Sequence, residues 1–391
     1  MRPAVLSLMV VVFGLTTGEF VIAGILPDIA GDVGVSVPAA GRLITAYAVG
    51  MIVGGPVVTL ATARIGRKPL ALGLIAVAVA GNVGSALAPG YVPLVVSRFV
   101  AGSVVATFFA VAVATAVGMA PAGRQASTVA KVALGMNLGI VAGTPLGTVV
   151  GQHLGWRVTF GAVAAFTAAG LLLVARYVPA RPAAATGTVR GELRVFAHRG
   201  LQLAVALTAL GNLGVAGVFT YVAVLLTGLA GFPPAAVPVL LVGYGIGAVV
   251  GNSVGGWLAD RSLMPSLVGL FAALAVVLAA FGLAGGNRTV AAALTVLLGA
   301  LAFAVVPGTQ ARILSAARAA PTLGVAVNAS GYQLAAAFAG VLGGWLVAGP
   351  GPRWLPLAGA LTTLAAVALG YAMLRGDRRA VSTDAVPVDA P

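Results

Sequence analysis

Apolar residues in this chain gather into runs of about 20, the length a helix needs to cross a bilayer, divided by short polar turns. Twelve such runs start near Val5, Arg42, Pro69, Pro93, Thr128, Val158, Leu201, Val237, Ser266, Thr289, Thr322 and Leu355. The pattern predicts an all-α membrane protein of twelve transmembrane helices. The turns Ala88-Pro89-Gly90 and Gly231-Phe232-Pro233-Pro234 are too short to hold an external domain. The first run follows Met1-Arg2-Pro3 without a clear small-residue cleavage site, so a retained span is expected there and not a cleaved signal.

An internal repeat divides the twelve runs in two. Sliding the chain on itself by 197 residues pairs Gly34 with Gly231, Tyr47 with Tyr244, Gly50 with Gly247, Gly54 with Gly251 and Arg64 with Arg261. Two pseudo-symmetric six-helix bundles follow, at 1–178 and 201–375, with a hydrophilic linker at 179–200. The Asp/Ala/Pro-rich tail, 376–391, is expected to be disordered.

Composition supports lipid as the solvent: of 391 residues 60% are hydrophobic and 8% charged, and 55 glycines favour close helix approach. The net charge of +14 does not indicate nucleic acid. Of the 22 basic residues, all but Arg42, Arg98, Arg157, Arg288 and Arg353 fall on the N-terminal side of the alternating topology. That asymmetry is the positive-inside rule, and it predicts both termini in the cytoplasm, with some attraction to anionic lipid. Cysteine is absent and the two histidines, His153 and His198, lie in different loops, so no metal site is expected. No nucleotide-binding loop and no catalytic set occurs at a plausible depth, which disfavours ATP drive and enzyme chemistry.

One acidic residue, Glu19 in Thr16-Thr17-Gly18-Glu19-Phe20, lies inside an apolar run. An ionisable group at that depth costs about 3 kcal/mol or more, so it is usually retained for binding or proton transfer. The structural alternative is a protonated carboxyl capped by Thr16 or another neighbour. Arg98 lies five residues after Pro93 as Glu19 lies eight before Pro27. At ~1.5 Å per residue their depths differ by about 5 Å, within reach of an arginine side chain if the helices are close. Pairing and separation of the two would switch proton affinity. Otherwise Arg98 snorkels outward or binds backbone carbonyls.

Several stretches carry a family pattern. Arg64-Ile65-Gly66-Arg67-Lys68 follows the second run, with Thr59 and Ala63 where a glycine and an aspartate are usual, and Gly256-Trp257-Leu258-Ala259-Asp260-Arg261 supplies both in the second half. Leu94 to Gly102 contains Arg98, and Gly135, Gly139, Gly143, Pro145 and Gly147 leave one face of the fifth run bare, with a proline where it can bend. Together these resemble the major facilitator superfamily, specifically its twelve-span drug:proton antiporters. The opening Thr-Thr-Gly-Glu-Phe-Val is similar to a bacterial branch holding chloramphenicol exporters and arabinose- and purine-efflux proteins.

The resemblance implies a carrier in a bacterial plasma membrane, needing no cofactor, driven by the proton gradient and working by alternating access. Its partners would be a small-molecule substrate, protons and lipid, and a monomer is expected. Glu19 and Arg98 would couple protons, and Arg64, Gly66, Arg67, Lys68, Asp260 and Arg261 would form a cytoplasmic gate, Asp260 pairing with Arg312 or Arg318. The alternative for these charges is topology alone. Midspan polar and aromatic residues are cavity-lining candidates: Tyr47, Phe108, Phe109, Asn137, Asn212, Tyr221, Tyr244, Asn328, Tyr332 and Gln333. Each could equally bridge helices. Amphenicol-type antibiotics are the leading cargo, and a metabolite such as a sugar, purine nucleobase or nucleoside is the alternative.

Overall fold

The computed structural model describes residues 3–62, 64–121, 124–180, 199–317 and 321–384. Among these residues there is no strand. Twelve helices are long and apolar enough to cross a membrane: Pro3–Phe20, Val37–Ala61, Arg67–Leu87, Tyr91–Met119, Thr128–Leu154, Trp156–Tyr177, Arg199–Thr220, Pro234–Arg261, Leu263–Ala284, Arg288–Ala316, Asn328–Ala348 and Trp354–Gly376. They are called the first to twelfth spans below. The second starts before the expected Arg42 because Ser36 caps it, its hydroxyl accepting from the Ala39 N–H at 3.3 Å, with Pro38 in the first turn.

Two expectations about the ends of segments change. Arg199 and Gly200, placed in the linker, already belong to the seventh span, while 181–198 lie outside the described residues. The last helix runs to Asp384 instead of giving way to a disordered tail at 376. No glycine follows Gly376 and no proline lies between it and Pro387, so nothing local ends the helix earlier.

The repeat seen in the sequence recurs in the packing. Gly50 and Gly54 of the second span meet the backbone of Phe99 and Ser103 in the fourth, and Gly102 meets the backbone of Tyr47. In the other half Gly247 and Gly251 meet Val296 and Ala300, and Gly299 meets Tyr244, each displaced by the same 197 positions. Glycine is needed there because helix backbones approach so closely that a methyl would overlap the facing carbonyl. The turns before the second and eighth spans share a further device: Gly34 and Gly231 both have φ of 69°, the left-handed region that glycine enters without strain.

The two halves meet along two seams, the second span against the eleventh and the fifth against the eighth. Thr45 donates to the Ala337 carbonyl at 2.8 Å and Gln152 to Pro234 at 2.9 Å across these seams, while Tyr221, bonded within its own half to Gly340 at 2.6 Å, packs on Gly41 of the first. An apolar cluster joins Ile25, Ile29 and Leu43 of the first half to Val218, Tyr221 and Leu241 of the second. These contacts lie at mid-depth or toward the end of the bundle opposite the termini. A second cluster, with Leu8, Ile75, Phe108 and Val174, belongs to the N-terminal half alone.

Candidate transport site

The first helix turns at Val21 and resumes as Ile22–Val33, so Glu19 lies just before a break near the middle of the combined helix. The seventh span has a matching break at Tyr221, and Phe20 and Phe219 meet edge-on across the halves with ring centres 5.5 Å apart. The fifth span passes through a π-helical turn, Gly139–Gly143, before Pro145. Proline has no N–H to close the regular ladder, and the widened turn bonds Thr144 N–H to Gly139 O instead.

The glycine face of the fifth span packs on the helix that carries Glu19. Gly135 meets Met9, Gly139 meets Phe13 and Thr16, Gly143 meets Thr17 and Gly147 meets Val21.

Arg98 is fully buried. Its Nη2 donates to the Gly18 carbonyl at 2.9 Å, and its guanidinium lies 4.4 Å from the Tyr47 ring centre and 5.1 Å from that of Phe160. Two aromatic faces replace part of the lost hydration of the cation. Nε and Nη1 have no protein partner. The expected Arg98–Glu19 ion pair is absent: among the described residues the one ion pair joins Arg157 to Asp32. Arg98 instead binds the backbone one residue before the carboxylate, which the stacking on Tyr47 and Phe160 enforces. Nor does it snorkel outward.

Glu19 is half-buried and accepts a hydrogen bond from Gln333 Nε2 of the eleventh span at 3.0 Å. The recorded partner of this carboxylate therefore comes from the opposite half and is not Thr16.

The lining candidates separate into two groups. Phe109, Asn137, Tyr332 and Gln333 are partly accessible, as a cavity wall requires. Tyr47, Asn212, Tyr221, Tyr244 and Asn328 are buried in helix packing, so here they line no cavity and the bridging alternative holds, whereas Phe108, also buried, lines a small pocket with Val12, Leu15, Thr16, Val105 and Phe109. Asn328 Oδ1 accepts from Thr208 at 3.0 Å, Asn212 donates to the Thr208 carbonyl at 2.8 Å, and Tyr244 packs on Phe219. Tyr221 fills a socket of Gly41, Gly343 and Gly344 at the seam between the halves.

At the end bearing the termini, Arg67 donates to the Ala114 carbonyl of the fourth span at 3.2 Å, while Gly66 caps the third span beside an exposed Arg64 and a half-buried Lys68. Thr59, standing where the family pattern has glycine, bonds Thr107 at 3.0 Å and so ties the second span to the fourth. Asp260 does not pair with Arg312; Arg261 lies over the Trp257 ring at 3.7 Å, and Ala63 and Arg318 lie outside the described residues. Asp260 is exposed at the end of the eighth span, where water can satisfy its charge without Arg312.

A cluster unforeseen from the sequence lies at the opposite end of the first half. Asp32 accepts from Arg157 and, at 3.0 Å, from Trp156 Nε1, and Arg157 also reaches the Ala88 carbonyl at 3.2 Å. Arg157 holds the Asp32 carboxyl below the usual aspartate range, with Trp156 adding to the effect. The available signal was a lone basic residue in Gly155-Trp156-Arg157 at the same level as the acid ending the first helix.

Twelve spans in two repeats, a buried arginine and a carboxylate bridging the halves define a multi-pass membrane carrier. The Major Facilitator Superfamily model matches residues 8–322, and the chain belongs to that family. It is 36% identical over 371 residues to the inner membrane transport protein YdhP of Escherichia coli K12, covering 95% of both chains. It is also 36% identical over 396 residues to a chloramphenicol resistance protein of Streptomyces lividans, covering 98% of each. Among solved structures the fold matches a bacterial homologue of the lysosomal transporter Spinster (TM-score 0.73, 16% identity, 95% and 96% of the two chains). It also matches a D-xylose–proton symporter (TM-score 0.72, 18% identity, 94% and 97%). The chain is a transporter and not an enzyme.

Proposed function

We infer that the protein exports a small amphipathic compound, of the chloramphenicol type, in exchange for protons. The observation that carries this reading is the placement of Glu19: among the described residues the one carboxylate near the middle of a span, the first being counted with its continuation to Val33, partly accessible, at the meeting of the two halves and bonded across them. A group so placed is reachable by protons and sensitive to the relative position of the halves, the two properties that exchange by alternating access requires. Arg98 beside it keeps a fixed positive charge in the same pocket. The cargo assignment draws on the Streptomyces relative, which is named for chloramphenicol resistance.

On the positive-inside orientation the termini and linker are cytoplasmic in a bacterial inner membrane. The seams then close the outer side, so this conformation receives cargo from the cytoplasm. Glu19 would take its proton from outside and release it inside, with the drug bound in the deprotonated state. Phe109, Asn137, Tyr332 and Gln333 offer the cargo an aromatic face and directional polar groups.

The test is susceptibility of a sensitive host expressing the chain, across chloramphenicol and unrelated antibiotics, beside Glu19→Gln. Protection against chloramphenicol that is lost in Glu19→Gln, with the protein still in the membrane, supports the reading. Equal protection by the mutant overturns the proton site. No protection by either favours metabolite export, to which the equally similar YdhP, named only as a transport protein, gives weight.

A further inference from the structure

We propose that Gln333 is a positioning residue that makes the tie between the two halves depend on the charge of Glu19. This rests on the antiport reading above. Arg98 cannot serve that purpose alone, because its recorded polar partner, Gly18, belongs to its own half and would move with it. The Gln333 Nε2 to Glu19 Oε1 bond of 3.0 Å is different: one end rides on the first span and the other on the eleventh. Any rocking of the halves at this depth must break or remake it.

Its strength follows the carboxyl's state. An amide donating to a carboxylate makes a charge-assisted bond roughly twice as strong as that to the neutral acid. Deprotonated Glu19 therefore favours the conformation seen here, and protonation loosens it. Among the described residues the charged or titratable groups facing Glu19 are few. Arg98 comes from the fourth span and Tyr47 from the second. On the opposite half Tyr332 flanks Gln333 but is bonded to Thr309 at 3.0 Å. The third, fifth and sixth spans, also packed against the first, carry Arg67, Lys68, Lys131, His153, Arg157, Arg176 and Tyr177 near their ends and no charged or titratable group at this level.

The experiment uses the full chain, which has no cysteine. Spin labels on Val57→Cys and Val254→Cys, repeat mates that are both exposed, report the separation of the halves toward the end bearing the termini. The wild-type distance distribution is expected to shift between acidic and alkaline pH, and Glu19→Gln to abolish the shift. Gln333→Met, similar in length without the donor, is expected to reduce the pH-driven change in the population ratio by about fivefold, the lower end of ordinary coupling between sites. Gln333→Asn keeps an amide one methylene too short to reach, is expected to match it, and stands in if the Met variant is lost from the membrane. A wild-type shift in both Gln333 variants, with none in Glu19→Gln, overturns this proposal and leaves the antiport reading standing. A full shift in Glu19→Gln overturns both.

Discussion

Arg98 donates to the carbonyl of Gly18 at 2.9 Å, one residue short of the carboxylate it might be expected to neutralise. The cation is thereby held beside Glu19 without consuming it, and the carboxylate stays free to bond across the halves to Gln333. Stacking between Tyr47 and Phe160 depends on a flat, delocalised cation, which lysine does not supply. Arg98→Lys is expected to reach the membrane but to slow proton-driven drug transport in everted vesicles by about tenfold or more, a barrier increase of ~1.4 kcal/mol or greater.

The glycine seams predict a graded packing series. A methyl at Gly251 would overlap the Ala300 carbonyl, and its repeat mate Gly54 would overlap Ser103, whereas Gly256 faces open space. Gly251→Ala and Gly54→Ala should each cost about 1–3 kcal/mol, the usual range for overpacking. Gly256→Ala should be near neutral. Thermal unfolding of the detergent-solubilised protein, followed by loss of monodispersity, gives the ranking.

Closure of the end opposite the termini depends on the Tyr221 ring entering its glycine socket. Gly41→Ala places a methyl where the tyrosine hydroxyl lies, so that end should fail to close. Thr45 sits in the same seam, bonded to Ala337. Thr45→Cys should therefore resist an aqueous maleimide reagent in the parent and become labelled in the Gly41→Ala background. Unchanged labelling would remove Tyr221 from the gate.

The Asp32 cluster carries a pH dependence with a definite sign. Arg157, aided by Trp156, lowers the Asp32 pKa in the folded state. Its stabilisation is therefore fully present above the ordinary aspartate value of about 3.9. It is lost as pH falls through the lower folded value. Asp32→Asn should lower the unfolding temperature at neutral pH, and the gap from wild type should close in strong acid.

Hydrophobic run lengths and the 197-residue offset made the twelve spans and two halves legible before any coordinates, because lipid forces every backbone polar group into a helix and so leaves little choice of local structure. The same scarcity singled out Glu19, since one carboxylate inside an apolar run needs no contact map to be noticed. Partners were another matter. Depth arithmetic brought Arg98 level with Glu19 yet could not tell the Gly18 carbonyl from the carboxylate a residue away. Tyr221 and Tyr244 look like cavity residues in a linear chain because polarity is visible there and burial is not; each fills a gap between helices. The amino-acid order thus settles which segments enter the membrane and which chemistry they carry. Folding alone decides that Gln333 meets Glu19 from 314 residues away, since rotation and tilt of one helix against another arise from side-chain interlocking that hydropathy does not encode.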